Sequence, residues 1–481
     1  MLANNGAGVD SDPDSAAILV TAVSGGALGT QLTLPSGALL TLNANGTFSY
    51  DPNHLFDYLP TPGSGASNLT IIDTFTYTIT GGDTATVTVT VGGVDTNDVL
   101  HDSAGIDSLA GGIGDDVYYV SNTGDVVTEA ASAGFDTVAA SVNYTLPVSN
   151  TVEVLNMLGS GLTGTGTDGP ETFISSSGPN TLIGLGGNDT YYVSSSADVV
   201  IEAANGGIDT VEATVDYTLP TSNNVEALYM LGSGLTGTGS NGAETLLSSG
   251  GPNTLVGLGG NDLYYVNNAA DVVIEAANGG IDTVAASVDY TMPANAEGLY
   301  MFGSGLTGTG TGGADSLLSS GGPNTLVGLG GDDLYYLANP ADVVVEAANG
   351  GFDSVLTSTS YTLPVNVEAL YTVGSGLTGT GNSGANTLVT VGANTLTGGD
   401  GNDTFVFSAG SANGATVTDF NRDQVTEWDF LVFSGFGTQG ATFSQIGTTD
   451  QWQIHSGLDG HNETITLSNH AVVHAGDFVF V

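Results

Sequence analysis

An acidic or amide side chain recurs every nine residues over long stretches of this 481-residue chain, and that period restricts the fold more than any other feature. The ladder runs Asp98, Asp107, Asp116, Asp125, then Glu171, Asn180, Asp189, Asp198, then Glu244, Asn253, Asp262, Asp271, then Asp315, Asn324, Asp333, Asp342. Two residues after each rung stands an apolar residue, Leu100, Leu109, Tyr118 and Val127 in the first block. A glycine usually stands two residues before it, as at Gly105, Gly114, Gly178 and Gly187. Nine residues accommodate a tight glycine turn and a strand of about three residues, so two such units close one coil. Rungs two units apart then stack on one edge at the ~4.8 Å spacing of neighbouring strands.

A longer repeat contains the short one. Asp116-Val-Tyr-Tyr-Val, Asp189-Thr-Tyr-Tyr-Val, Asp262-Leu-Tyr-Tyr-Val and Asp333-Leu-Tyr-Tyr-Leu are near copies, and Asp403-Thr-Phe-Val-Phe ends the series, at spacings of 73, 73, 71 and 70. Asp125, Asp198, Asp271 and Asp342, each before Val-Val, keep step with them. Residues 95–407 therefore read as an array of four cassettes of about 73 residues.

Composition says what such an array needs. Against 50 acids there is one basic residue, Arg422, giving a formal net charge of −49. That excludes a Schiff-base lysine, a lysine-dependent phosphate loop and a cationic face for nucleic acid. The absence of cysteine removes thiol catalysis, thiolate metal sites and disulfides. No apolar run approaches the ~20 residues of a membrane-spanning helix. Yet 40% of residues are hydrophobic and mean hydropathy is +0.16, unlike a disordered acidic chain. Self-repulsion opposes compaction until cations arrive.

Stacked carboxylates and glycine-turn carbonyls form an oxygen shell that suits calcium better than octahedral magnesium. The pairs two units apart are Asp98/Asp116, Asp107/Asp125, Glu171/Asp189, Asn180/Asp198, Glu244/Asp262, Asn253/Asp271, Asp315/Asp333 and Asn324/Asp342, so about eight ions or more are expected, with Asp403 at the end of the ladder. The plainer reading is that Asp and Asn only stabilise turns; it accounts for the Asn rungs but not for stacked acids without cations. Between ladders the period breaks. Asp198 to Asp209 advances by 11, and Val211 to Leu231 reads as longer alternating strands in a widened coil. Glu202, Asp209 and Glu226 recur in every cassette, as Glu129, Asp136 and Glu153 show, either as turn caps or as further ligands.

Gly111-Gly112-Ile113-Gly114-Asp115-Asp116-Val117-Tyr118-Tyr119 fits G-G-x-G-x-D-x-U-x, and Gly398 to Val406 fits it equally, whereas Gly257 to Tyr265 lacks the second glycine. About two thirds of the chain resembles the RTX, or haemolysin-type, calcium-binding repeat family. The resemblance implies an all-β fold: a right-handed parallel β-roll or β-helix array, secreted and folding on extracellular calcium. Residues 1–94 read as alternating strands, Ala17–Val23, Gln31–Leu34, Leu39–Asn43, Thr47–Tyr50, Thr70–Thr80 and Thr84–Val91, hence an antiparallel β-sandwich. Leu2-Ala-Asn, Gly46-Thr-Phe-Ser-Tyr50 and Asp73-Thr-Phe-Thr-Tyr77 resemble bacterial cadherin-like domains, whose first strand precedes the Leu-Ala-Asn segment, so a longer protein is expected. Asp10, Asp12 and Asp14 suit an interdomain calcium or a solvated loop. Residues 408–481, ending Asp477-Phe-Val-Phe-Val481, resemble the cap and C-terminal signal of type I secretion substrates, which implies the type I apparatus as a partner. No positive segment followed by an apolar one opens the chain, so a classical signal peptide is not supported.

In each Tyr-Tyr pair, strand alternation sends one ring into the core and the other outward as packing. His455, His461, His470 and His474 cluster near the C-terminus; His470 and His474 have a zinc spacing only on a helix, which Gly476 and strand-like flanks oppose. The sequence favours a non-catalytic structural or adhesive module of a surface protein, with cell-surface or matrix glycans or proteins as further partners. Its rivals are the secretion and folding tail of a larger enzyme (protease, lipase or epimerase) and a calcium-dependent carbohydrate- or ice-binding face made by Leu-Thr-Gly-Thr-Gly at 162–166, 235–239, 306–310 and 377–381.

Overall fold

The computed structural model describes residues 18–53, 55–56, 59, 70–92, 97–129, 134–147, 152–220, 224–422 and 427–481. The Asp10–Asp14 loop lies outside them. The regular structure described is all β, without a helix. It divides into two units, 1–211 and 212–481, taken in turn.

In the first unit, Val20–Val23, Thr70–Ile79 and Thr84–Gly92 form one antiparallel sheet and Gln31–Thr33, Leu39–Leu42 and Phe48–Asp51 a second. Their facing side chains, Val20, Val23, Leu32, Leu40, Leu42 and Phe75 among them, share one buried core. Asp73 is buried in this region and accepts hydrogen bonds from the Ser36 hydroxyl at 2.6 Å and the Tyr50 hydroxyl at 2.8 Å. The antiparallel sandwich is as expected.

From Val99 the chain coils. Val99–His101, Val117–Val120, Thr137–Ala140, Val154–Met157, Thr172–Ser175 and Thr190–Val193 stack as parallel neighbours, each bonded only to the coils before and after. Their inward residues Leu100, Tyr118, Val138, Leu155, Phe173 and Tyr191 form one column, and all are buried. The rings of Phe173 and Tyr191 stack with centroids 5.0 Å apart. A second parallel sheet, Tyr144–Thr145, Thr163–Thr165, Thr181–Ile183 and Val199–Ile201, closes the other side. A strand of the long sheet usually buries two or three side chains, as Tyr118 and Val120, and a strand opposite buries one, as Leu182, so each coil has little core of its own. Room is short enough to demand glycine: a β-carbon at the inward Gly164 would stand 2.8 Å from Met157 Sδ.

Coil length varies on a schedule. Val99 pairs with Val117, Val117 with Thr137, Thr137 with Val154, Val154 with Thr172 and Thr172 with Thr190. An ordinary coil of two nonapeptides is thus followed by a longer one from Val117, then by a shorter one from Thr137, before the ordinary length returns. The expected break in the nine-residue rule is this long coil and the short coil after it. Between Val211 and Leu231, where the sequence predicts longer strands, the strands Thr210–Ala213, Tyr217–Thr218 and Ala227–Leu231 have 4, 2 and 5 residues.

The second unit repeats the arrangement from Ala227–Leu231 to Thr404–Ser408, with Leu246, Tyr264, Val284, Leu299, Leu317, Tyr335, Val355, Leu370, Leu388 and Phe405 as its buried column. Here the short coils shrink further, pairing Thr283 with Gly298 and Ser354 with Ala369. That shortening produces the reduced spacing of 71, and the pairing of Thr387 with Thr404, one residue short of an ordinary coil, brings the last spacing to 70. Gly112 and Gly399 adopt left-handed conformations (φ 107° and 95°), and so do Leu185, Leu258 and Leu329 at the corresponding motif position (φ 77–79°). A leucine there carries strain of about 1–2 kcal/mol, partly offset by the unfolded-state entropy a glycine would add. Leu329→Gly, on a side chain 45% exposed, should therefore stabilise the calcium-loaded protein by roughly 0.5–1 kcal/mol. A lower thermal midpoint would contradict this.

The end of the unit changes character. Phe430–Ser434 and Phe478–Phe480 extend the ladder, while Thr442–Gln445, Gln451–His455 and Asn462–Leu467 turn antiparallel to one another, the last of them pairing with Thr416–Val417. Phe405, Phe407, Phe433, Phe436, Phe443 and Trp452 fill a core larger than any coil supplies. Arg422 Nε lies 2.5 Å from Asp477 Oδ1, whose side chain is fully buried, and its guanidinium covers the Trp428 ring at 5.7 Å. Arg422→Gln leaves that buried carboxylate without its cation and should cost about 3 kcal/mol, read as a lower thermal midpoint in saturating calcium. An unchanged midpoint would show that the Trp428 and backbone contacts suffice.

Candidate metal centre

The ladder residues build two edges of different chemistry. On the first edge, one oxygen of each rung is tied to the backbone of the coil before it. Asp98 N–H donates to Asp116 Oδ1 at 2.7 Å, Glu171 N–H to Asp189 at 2.7 Å, and Glu244 N–H to Asp262, Asp315 N–H to Asp333 and Asn386 N–H to Asp403 at 2.8 Å. The second oxygens of Asp262, Asp333 and Asp403 are buried without a hydrogen-bond partner. The lower acid of a pair leans towards its own turn: Glu171 accepts the Thr167 N–H at 3.0 Å, Glu244 the Ser240 N–H at 3.2 Å and Asp315 the Thr311 N–H at 2.5 Å.

The bare Cα atoms beneath the lower acids each face a carboxylate and a carbonyl oxygen, with the Phe173 ring edge also close at Gly166. A β-carbon at Gly239 would stand 3.0 Å from both Glu244 Oε2 and the Gly257 carbonyl, and one at Gly166 would stand 2.6 Å from Glu171 Oε2 and 3.1 Å from the Gly184 carbonyl. At Gly310 the corresponding distances are 2.5 Å to Asp315 Oδ2 and 3.2 Å to the Gly328 carbonyl. A carboxylate and the next coil's glycine carbonyl thus face one point, and a hard cation fits that donor set.

The second edge is occupied by protein donors. Asp198 Oδ1 accepts Asn180 N–H and the Ser175 hydroxyl, both at 2.8 Å, and Oδ2 accepts Ser194 and Ser195 N–H. Asp271 does the same with Asn253, Ser248, Asn267 and Asn268, and Asp342 with Asn324, Ser319 and Asn339. Asp125 accepts Asp107 N–H at 2.9 Å and Asn122 N–H at 3.1 Å. The amides of Asn180, Asn253 and Asn324 reach the carbonyls of Gly159, Gly232 and Gly303. Rungs 107, 125, 180, 198, 253, 271, 324 and 342 are thus hydrogen-bonded from one coil to the next.

Acids outside the nine-residue period join the first edge. Among the described residues, four carboxylate groups each bring one oxygen within 4.8 Å of the others: Asp116–Glu129–Asp136, Asp189–Glu202–Asp209, Asp262–Glu275–Asp282 and Asp333–Glu346–Asp353. The long coil creates them, because its far turn returns the Glu and the second Asp over the rung. Asp262 N–H donates to Asp282 Oδ1 at 2.8 Å and Asp333 N–H to Asp353 Oδ1 at 2.9 Å. The inward tyrosine completes the group: Tyr191, Tyr264 and Tyr335 donate their hydroxyls to Glu202, Glu275 and Glu346. Burial, with the charges of Glu171, Glu202 and Asp209 adding to it, pushes the Asp189 carboxyl up to about 8. Burial and neighbouring carboxylates likewise raise Asp262, Asp333 and Asp403 to about 7. The sequence left these off-period acids open; their recurrence in every cassette was the available signal.

Among the described residues, no histidine belongs to the carboxylate groups above. His470 bonds Asp450 at 2.6 Å from a loop (φ 60°), His461 lies between Asp459 and Glu463, and His474 contacts Arg422 at 2.6 Å. The threonines of Leu-Thr-Gly-Thr-Gly stand outward and stack in register, as Thr236 beside Thr254 and Thr163 beside Thr181.

Such a repeat of glycine turn, acid and short strand defines a class. The model of the RTX calcium-binding nonapeptide repeat matches residues 92–127, 165–200, 238–273, 309–343 and 380–411, and that of the bacterial cadherin-like domain matches 1–93. The chain carries an array of RTX calcium-binding repeats behind a bacterial cadherin-like domain. A curated relative, endo-1,3-1,4-beta-glycanase ExsH of Rhizobium meliloti (strain 1021), is 41% identical over 152 residues, covering 28% of this chain and 31% of the relative. The chain thus matches about a third of that protein's length. No helix among the described residues is long and apolar enough to cross a membrane.

Proposed function

We propose that the chain is a calcium-binding structural and adhesive module of a secreted bacterial surface protein, without catalysis of its own, that folds when it meets extracellular calcium. The supporting observation is the first edge, where stacked carboxylates and glycine carbonyls face one another around bare Cα positions. Ions between Asp98/Asp116, Glu171/Asp189, Glu244/Asp262 and Asp315/Asp333, and at Asp403, bridge consecutive coils whose own cores are thin. The cadherin-like domain and repeat array favour a surface module. Binding free energy then supplies much of the folding free energy.

A calcium titration followed by circular dichroism and hydrodynamic radius tests this. The β signal and compaction should rise together towards millimolar calcium, with magnesium a poor substitute. Asp189→Ala should raise the midpoint, whereas Asp51→Ala, in the sandwich and bonded to its own turn at Asn53, should leave it unmoved. An unchanged spectrum and radius in excess chelator would end the reading. The match to a glycanase favours a second one, a non-catalytic folding and secretion tail of a larger enzyme. Incubation of this chain with mixed-linkage β-glucan should give no reducing ends under either reading; turnover would overturn both.

A further inference from the structure

We propose that each Asp–Glu–Asp group is a calcium site in its own right, enclosed within the long coil and distinct from the bridges between nonapeptide turns. The clearest case is Asp262, Glu275 and Asp282. All three side chains are buried, and Oδ2 of both aspartates has no hydrogen-bond partner. Asp262 Oδ2 points into a space kept open by the chain: a β-carbon at Gly257 would overlap the Tyr264 hydroxyl and Asp262 Oδ2 and stand 2.6 Å from Glu275 Oε2, and an Asp282 oxygen lies within 4.8 Å of this pair of carboxylates. Gly328 keeps the same space for Tyr335, Glu346 and Asp333, where Asp333 and Asp353 again carry unpartnered buried oxygens.

Three buried carboxylates without cationic side chains nearby are strongly unfavourable unless a cation joins them. Their donors are all oxygen, which disfavours zinc. Magnesium retains several waters, and a buried group leaves it little room for them; calcium sheds water readily and accepts irregular carboxylate shells. Glu275 and the Tyr264 hydroxyl then act as ligand and orienting donor.

This inference rests on the calcium reading above, and the experiment separates the two. Native mass spectrometry of the full chain in saturating calcium counts bound ions. The double variant Glu275→Gln/Asp282→Asn should bind one calcium fewer than the parent, and adding Glu346→Gln/Asp353→Asn should remove a second. Asp289→Asn, whose exposed carboxylate caps the Thr307 N–H, should leave the count unchanged. Terbium excited through tyrosine provides a second readout: with four such groups, about a quarter of the sensitised emission should go with each double variant. If a double variant does not fold, Glu275→Gln alone, which keeps the size of the side chain, replaces it. Equal counts and emission in parent and variants would overturn this inference alone. A parent that binds no calcium would overturn the underlying reading as well.

Discussion

Lowering the pH from 8 to 5.5 in excess chelator should restore much of the β structure that metal removal abolishes. The folded pKa values of Asp189 (about 8), Asp262, Asp333 and Asp403 (about 7) and Asp136, Asp353 and Asp429 (about 6) lie above the ~3.9 of an unfolded aspartate. The metal-free folded state therefore binds more protons than the unfolded chain between those limits. Its stability is greatest below about pH 4 and is lost as pH rises through 6 to 8. At pH 5.5 exposed acids remain ionised, so a recovery there reports the buried groups rather than a general fall in charge. Calcium reverses the sign, since its ligands must be deprotonated and its affinity falls with acid. Circular dichroism at pH 8 and 5.5, with chelator and with calcium, gives four values. A metal-free signal equally weak at both pH values would show that protons cannot replace the cation.

Gly257→Ala should be strongly damaging to the array. Its β-carbon would occupy the space shared by Tyr264, Asp262 and Glu275, whose positions are fixed by backbone pairing on both sides. Relief requires moving a buried ring or a coil, which together with loss of the cation exceeds an ordinary overpacking cost of about 1–3 kcal/mol. Gly312→Ala places a methyl in open space and should be neutral or slightly stabilising. The comparison is made by calcium midpoint and thermal midpoint at fixed calcium. Equal midpoints for the two variants would mean that the space at Gly257 is not needed.

The coiled fold was legible because its period is short and strict: Leu100, Tyr118, Phe173 and Tyr191 stand two residues after their rungs and all face inward. The inward tyrosine was legible too, but its hydroxyl's destination was not. Neither Glu275 nor Asp282 follows Asp262 at a multiple of nine, so only the pairing of Leu263 with Thr283 shows that they return to the same rung. The distinction between edges was equally hidden. Asp198 and Asp262 stand on the same kind of ladder, but Ser175, Ser194 and Ser195 supply donors to both oxygens of the first, whereas the second keeps one buried oxygen without a hydrogen-bond partner. Donor supply from an adjacent coil is a tertiary property that a one-dimensional period does not encode.

The schedule of coil lengths also governs how such a gene can grow. Inserting or deleting a whole cassette returns the chain to an Asp-x-Tyr-Tyr strand on the same edge, facing the same kind of neighbour, so no interface must be solved anew. Loss of two consecutive nonapeptides keeps the edges but removes a coil between one enclosed group and the next. Loss of a single nonapeptide exchanges the edges, placing carboxylates that need a cation where backbone donors wait, and serines where a cation should bind. Length variation among descendants of this array should therefore come in steps of one cassette, and each step should add one enclosed acidic group.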